Sequence, residues 1–422
     1  MAIEDALWIR QKAMEHQKWF EESIPLIASE NVMSPLAKEM IITDLNNRYA
    51  EGLPHHRYYQ GNKIYDEIEI KTEELIKELF NSPQADVRPI SGTNANQAVI
   101  FAFSSPGDKI MAPSLDSGAH ISSAEFGAVG FRGLKPVNME FNTELMEIDV
   151  DKTKKKILEE KPKVCLFGFS VFLFPAPIKE LKDAMDEVSC RVWYDGAHVL
   201  GLIAGKRFQD PLREGAHVIT GSTHKTFPGP QHGVIIGNTS EEDWKLVRRG
   251  VFPGVLSNHH LGNVAALGVT AAEMLEFGEA YAENVIQNAQ KLAQSLHELG
   301  FKVLAEKNGF TRSHTILVNV VDKGGGKYVA EKLEANNIIL NKNMIPGDSN
   351  KRSQDPSGIR IGTQEVTRLG MGKSEMSYIA ELINNALKGK DVREEVKELK
   401  SQFSKIKYCY GDHKAYEYIK LF

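Results

Sequence analysis

Between residues 85 and 240 the chain carries short apolar runs that lack polar alternation: Lys109 to Ala112, Val164 to Phe169, Val192 to Tyr194, Val218 to Ile219 and Val234 to Ile236. They end in loops rich in Gly, Ser, His and Asp, and helix-sized spacers separate them. A strand with one wet face alternates between polar and apolar residues, whereas a run that is apolar throughout is buried on both faces. Such runs between helical segments predict an α/β fold built on a mostly parallel sheet with helices on both sides.

The flanks read differently. Residues 3–22 place Ala6, Ile9, Ala13 and Trp19 on one side of an amphipathic helix whose partner is not readable locally. Leu261 to Leu299 reads as one or two amphipathic helices leaving the sheet, with Gly300 as a stop signal. Beyond it lie strand-like Phe301 to Leu304 and Thr315 to Val321, a Gly324-Gly325-Gly326 turn, a helix near 327–336, strand-like Ile338 to Leu340 and Ile359 to Ile361, and two charged helices. With 422 residues the chain has room for two to three domains at about 150 residues each. The expected division is a helical arm (1–45), a large domain (46–270) and a smaller α+β domain (271–422).

Charge narrows the partners. Lysine plus arginine number 51 and aspartate plus glutamate 56, a formal charge of −5, so nothing global attracts a polyanion and no nucleic-acid partner is expected. Cys165, Cys190 and Cys409 are too few and too scattered to staple a scaffold, which fits a reduced, cytoplasmic setting. Glu4, Asp5, Arg10, Lys12, Glu15 and Lys18 interrupt any signal-peptide core. The longest apolar stretch, Val164 to Ala176, falls short of the ~20 residues of a membrane helix, so no membrane partner is expected.

Several motifs carry chemistry. Ser91-Gly92-Thr93-Asn94-Ala95-Asn96 precedes the helical run Gln97 to Phe103. A small, glycine-containing turn that opens a helix directs unpaired N–H groups at an anion, though the same residues also serve as an ordinary N-cap. Gly372-Lys373-Ser374 is no P-loop, because Thr367 stands where that pattern asks for glycine, and the Gly324 triplet lacks the third spaced glycine of a dinucleotide fingerprint. Tyr194-Asp195-Gly196-Ala197-His198 closes one apolar run, and Ser222-Thr223-His224-Lys225-Thr226 closes a later one. Strand ends on one sheet edge converge on one crevice, which would gather an acid, two histidines, a lysine and the phosphate turn. Pyridoxal phosphate needs that set: a lysine for a Schiff base, a carboxylate for the ring nitrogen and an anion cradle.

His120 sits on a loop where an imidazole could stack on a flat cofactor or simply be solvated. His55-His56 and His259-His260 resemble metal-ligand pairs, but adjacent residues point apart and no further ligand spacing completes a site, so no metal is expected. Arg360, inside the short apolar strand of Ser357-Gly358-Ile359-Arg360-Ile361-Gly362-Thr363, either pairs with an acid or presents its fork to a ligand carboxylate. Tyr49-Ala50-Glu51-Gly52 and Arg57-Tyr58-Tyr59-Gln60-Gly61 lie in a stretch too long for mere connection.

In this order the pieces resemble serine hydroxymethyltransferase, a pyridoxal-phosphate enzyme of the aspartate-aminotransferase fold type. The resemblance runs through Leu26-Ile27-Ala28-Ser29-Glu30-Asn31, the YAEGLP of 49–54, the SGT of 91–93, the DGAH of 195–198, the STHKT of 222–226 and the GIRIGT of 358–363. RYYQG at 57–61 and FPGVLSNHHL at 252–261 look most like the archaeal branch. The resemblance implies PLP fold type I: a large domain with a mostly parallel sheet of the seven-stranded type plus a smaller C-terminal domain.

It also implies roles. Lys225 forms the Schiff base, Asp195 meets the pyridine nitrogen, His198 lies by the phenolic oxygen and His120 stacks on the ring. Ser91, Gly92 and Thr93 hold the phosphate, with His224 beside the lysine and Ser170 in the same cofactor-binding set. Ser29 and Arg360 clamp the amino-acid carboxylate, and Glu51, with Tyr59, serves proton transfer at the substrate hydroxyl. Tyr49, Ser257 and Asn258 reach the neighbouring subunit's cofactor, which implies a homodimer. Tyr58, Tyr59, Leu115, Ala119, Ile121 and Asn343 line the pterin and substrate side. The implied reaction moves the hydroxymethyl carbon of serine reversibly to a reduced pterin, giving glycine.

Departures from the family pattern leave the carrier open. Gly118-Ala119-His120-Ile121-Ser122-Ser123-Ala124 replaces the common Gly-Gly-His-Leu-Thr-His-Gly, and Asp116 enters the loop, so both tetrahydrofolate and a tetrahydromethanopterin-type carrier stand. The alternative activity is a pterin-independent PLP aldolase acting on β-hydroxy amino acids such as threonine. A non-catalytic, nucleotide-binding scaffold using the phosphate turn alone is the reading from another class.

Overall fold

The computed structural model describes residues 2–120, 123–348 and 354–421. Its main sheet has seven strands: β1 (Gln84–Asp86), β2 (Lys109–Ala112), β3 (Lys135–Asn138), β4 (Val164–Gly168), β5 (Arg191–Asp195), β6 (Val218–Ser222) and β7 (Gly233–Gly237), in the spatial order β1-β7-β6-β5-β4-β2-β3. Strands β2 to β6 pair in parallel, and β7 runs antiparallel to both β6 and β1.

The unbroken apolar runs have the expected cause. Cys165, Phe167, Val192, Tyr194 and Ile219 enter one core, while Val164, Leu166, Trp193, Val218 and Ile235 enter a second core on the opposite face. Successive side chains of a strand point to opposite faces, so both must be apolar when both faces are covered, each fully buried large side chain contributing about 1.5–3 kcal/mol. The parallel strands also present their carboxyl ends on one edge, where Gly168, Asp195 and Thr220 lie side by side and Ser222 follows two residues on.

A second sheet is antiparallel throughout, β8 (Lys302–Val303), β9 (Thr315–Asn319), β10 (Asn341–Asn343) and β11 (Gly358–Gly362), in the order β8-β9-β11-β10. It has its own apolar core. One helix, Leu261–Glu298, spans both units: Val264, Leu267, Met274 and Val285 pack under the main sheet, and Ala289, Leu292 and Leu296 pack with the second. The N-terminal segment is stitched to the second unit, where Ile24–Pro25 pairs in parallel with Ile338–Ile339.

The N-terminal helix, Ala2–Glu21, forms as expected but buries none of its residues, and Ile3, Leu7, Trp8 and Ile9 are exposed. Among the described residues no helix is long and apolar enough to cross a membrane.

Candidate active site

Lys225 lies three residues beyond the end of β6, and its backbone is pinned from two sides. The Asn31 amide donates to the Lys225 carbonyl at 2.6 Å and to the Tyr281 hydroxyl at 2.9 Å, while that hydroxyl donates to the Thr226 carbonyl at 2.9 Å. Thr226 Oγ1 in turn donates to the His198 carbonyl at 2.9 Å. The lysine therefore leaves a fixed turn. Burial pushes its ammonium down to about 8, with Asp195 opposing that shift and Arg360 adding to it.

Asp195 ends β5, with Oδ2 accepting from the Asn96 amide at 2.8 Å and Oδ1 from the Ala197 N–H at 3.0 Å. Asn96 sits on the helix Gly92–Phe103, whose first turn is capped by Ser91 Oγ, accepting from the Asn94 N–H at 3.1 Å. A Cβ at position 92 would come within 2.2 Å of Ser222 Oγ, so any larger residue there would push that hydroxyl aside. The helix N-terminus thus packs against the end of β6, and Gly92 and Thr93 line the crevice.

These elements enclose one small cavity of about 40 Å³, lined by Gly92, Thr93, Asn96, His120, Asp195 and Lys225 together with Phe169, Ala197, His198 and Ser222. His198 is buried, its ring stacked on His314 with centroids 5.9 Å apart and 22° between planes. Burial, and then the charges of Lys225 and Arg360, hold His198 well below the usual imidazole range. Burial takes His314 down to about 3 even though it bonds the Ala28 carbonyl at 3.0 Å. Both rings are neutral near pH 7. His120 is also lowered, by burial first and then by Lys225 and Arg360 against the opposing pull of Asp195. Three buried atoms near Lys225, Asn96 Oδ1, His198 Nδ1 and His224 Nδ1, have no hydrogen-bond partner.

Arg360 reaches this neighbourhood from β11. It is buried, Nε donates to Asn341 Oδ1 at 3.1 Å and Nη1 to the Ser170 carbonyl at 2.8 Å. The Ser170 N–H donates to the Gly118 carbonyl at 2.8 Å, and Gly118 adopts a φ of +91° at the entry to the His120 loop. Arg360, Ser170 and the His120 loop thus form one hydrogen-bonded chain across the two sheets. No carboxylate among the described residues pairs with Arg360, and burial lowers it to about 10.

The remaining sequence candidates lie elsewhere. Ser29 and His224 line a neighbouring, larger cleft, with His224 pushed down to about 4 by burial and then by Lys225. Leu115 is half-buried and Ala119 buried on the loop before His120, and Asn343 is half-buried at the end of β10, its amide on the Met344 carbonyl at 2.6 Å. Ile121 is outside the described residues.

Tyr49, Glu51, Tyr58, Tyr59, Ser257 and Asn258 do not line the Lys225 cavity. They form a separate patch in which Asn258 accepts from the Ala50 N–H at 2.8 Å and the Tyr58 N–H donates to the Glu51 carbonyl at 3.1 Å. The rings of Tyr49 and Tyr59 meet at 4.9 Å, and those of Tyr58 and Phe252 at 5.9 Å. Arg57 braces this patch from beneath through the Ala50 and Gly52 carbonyls, Asp66 and Glu69. His259 is the buried partner of Tyr65 and Glu69.

Sequence reasoning missed Asn96, Asn31, Tyr281 and His314. Asn96 and Asn31 stood inside the SGTNAN and LIASEN motifs, and that placement was the available signal. Tyr281 and His314 carried none.

A family model described as serine hydroxymethyltransferase matches residues 5–383. The chain is 64% identical to the serine hydroxymethyltransferase of Thermoplasma volcanium, with all of both chains covered. It is 62% identical to that of Picrophilus torridus, over 100% of this chain and 98% of the relative, and 54% identical to that of Methanothermobacter thermautotrophicus, over 98% and 97%.

Proposed function

This chain belongs to the serine hydroxymethyltransferase family and is an enzyme that interconverts serine and glycine with transfer of a one-carbon unit; from that premise we propose that the Lys225 cavity is its active site and holds pyridoxal phosphate. The observation that carries this reading is the convergence in one cavity of a desolvated lysine, a carboxylate with both oxygens oriented, and a helix N-terminus, beside an arginine without an acid partner.

The donor set fits the cofactor. Ser91, Gly92 and Thr93 would take the phosphate at the helix N-terminus, Asp195 the ring nitrogen, His198 the phenolic oxygen and His120 a ring face, with His224 and Ser170 at the margins. The orphaned His198 Nδ1 and Asn96 Oδ1 are the buried polar atoms such a ligand would face. When bound, the cofactor supplies an electron sink for breaking bonds at the amino-acid Cα.

The chain's own residues do the rest. Lys225, held near 8, is partly neutral at physiological pH and so able to attack a carbonyl carbon. Arg360, with Ser29, binds the carboxylate of serine or glycine and so fixes which Cα bond is strained. Asp195 stays oriented by Asn96, and neutral His198 accepts or donates without adding charge beside Lys225. Glu51, assisted by Tyr59, moves the proton of the serine hydroxyl, and Tyr58, Leu115, Ala119, Ile121 and Asn343 line the carrier side. Because Glu51 and the tyrosines lie off the Lys225 cavity, the working site combines two copies: Tyr49, Ser257 and Asn258 of one chain serve the cofactor of the other. Exposed Ile3, Leu7, Trp8 and Ile9 support a homodimer.

The division into an arm (1–45), a cofactor-binding unit (46–270) and a smaller unit (271–422) belongs to the same reading and is supported by two separate sheets and cores. So does a cytoplasmic setting, supported by three free cysteines. The carrier is a reduced pterin, tetrahydrofolate or a tetrahydromethanopterin type; the pterin-independent aldolase is not favoured by the relatives' names. Measuring glycine formation from serine with each carrier and with none tests this: acceleration by at least one carrier is expected, and equal turnover without any would overturn it.

A further inference from the structure

A second cavity, of about 340 Å³, opens beside the Tyr58 patch, and Arg88, Arg248, Arg249, His56, Tyr58 and Phe252 line it. None of the described residues lining it is a carboxylate. Three acids lie behind its wall, of which Glu69 is held by Arg57 and His259. Asp86 is consumed by Arg88, which spends Nε and Nη2 on it. Glu73 stands 3.5 Å from Arg248 Nη2, and burial, then Asp86, raises it to about 7, so near neutral pH much of its charge is gone. With Glu69 engaged by Arg57 and His259, the three guanidiniums of the lining keep only Asp86 and Glu73 as their own carboxylates. Arg248 Nε is buried without an acceptor, and no carboxylate among the described residues pairs with Arg249.

The wall shared with the aromatic patch matters as much as the charge. Tyr58, 70% exposed, meets Phe252 at the rim, so a flat apolar surface adjoins a cationic hole. A ligand with an aromatic body and an acidic end matches both at once, and a guanidinium fork suits a carboxylate or phosphate.

We propose that this cavity is an anion subsite that takes a carboxylate or phosphate group borne on the tail of the one-carbon carrier. The inference rests on the reading of Tyr58 as a carrier-side residue and assigns Arg249, with Arg248, to tail recognition rather than to chemistry. Since the patch serves the neighbouring copy, each chain grips the tail of the carrier that reacts at its partner's Lys225.

The test compares a reduced pterin with an acidic tail against tail-less 6-methyltetrahydropterin, on wild type, Arg249→Ala and Arg249→Lys dimers. Arg249→Ala should raise KM for the tailed carrier about tenfold, leave KM for serine and for the tail-less pterin unchanged, and be partly rescued in Arg249→Lys. Inorganic phosphate should compete with the tailed carrier on wild type and lose that effect in Arg249→Ala. Equal KM changes for both pterins, or none, overturn the proposal. Phosphate inhibiting both pterins alike assigns the cavity to a free anion and overturns tail attachment. If wild type uses neither pterin, the carrier reading itself fails, and calorimetric phosphate binding that Arg249→Ala abolishes separates that failure from failure of the anion subsite.

Discussion

Lys225 is enclosed by groups of its own chain, whereas Tyr58, on the other side of the proposed reaction, is 70% exposed. The first region is assembled by the geometry of a parallel sheet, because strands running the same way bring their last residues to one edge. The second is a braced surface: Arg57 holds its backbone from below while its aromatic rings stay outside. Burial in one and exposure in the other are the contrast on which the proposed two-copy site rests.

The largest expected effect tests the enclosed region. Lys225→Ala should cut glycine formation on the order of ten-thousandfold and abolish the visible absorption of the loaded enzyme, with the circular dichroism of the fold retained; substantial activity would break the assignment. Arg360→Lys comes next. A point charge does not reproduce a bidentate contact, so KM for serine should rise by about 30–100-fold, on the order of 2–3 kcal/mol, with the folded state intact. Near-normal serine affinity would return Arg360 to a structural role.

Asn96→Ala should act more mildly, lowering kcat roughly tenfold while KM for serine holds, because it frees one carboxylate oxygen of Asp195 without removing the charge. A shift in the pH titration of the bound cofactor should accompany it, and an unshifted titration would show that Asn96 merely packs. The smallest effect is on cofactor loading. The Lys225 ammonium is lowered to about 8, and only the neutral amine attacks, so the loading rate of apoenzyme should climb as pH rises through about 8 and flatten above it. A rate still climbing towards the usual lysine range near 10 would mean that Lys225 is not desolvated.

Much of the enclosed region was legible beforehand, for a physical reason. Runs buried on both faces have no polar alternation, so β4, β5 and β6 announced themselves, and Asp195 and Lys225 stood at or just past their ends. Strand direction was not legible, since the apolar run at Val234 to Ile236 looks the same either way, and β7 proved antiparallel. Asn96 finds Asp195 across 99 residues, a pairing no local spacing encodes. Equally hidden was the exposure of the N-terminal helix: Ala6, Ile9, Ala13 and Trp19 share a side, yet Ala6, Ile9 and Ala13 stay exposed and Trp19 is half-buried, donating to Asn337 Oδ1 at 3.2 Å. The exposed patch was legible only as a resemblance, because exposed tyrosines carry no periodicity that says what they face.

Subunit complementation tests the shared site most directly. Lys225→Ala and Glu51→Gln chains, each inactive as homodimers, are unfolded, mixed in equal amounts and refolded together. Half of the resulting dimers are mixed, and each mixed dimer holds one site with an intact Lys225 and an intact Glu51 from different chains, so activity should return to about a quarter of wild type. A mixture that stays as inactive as its components would show that Lys225 and Glu51 act within one chain, and would contradict the account.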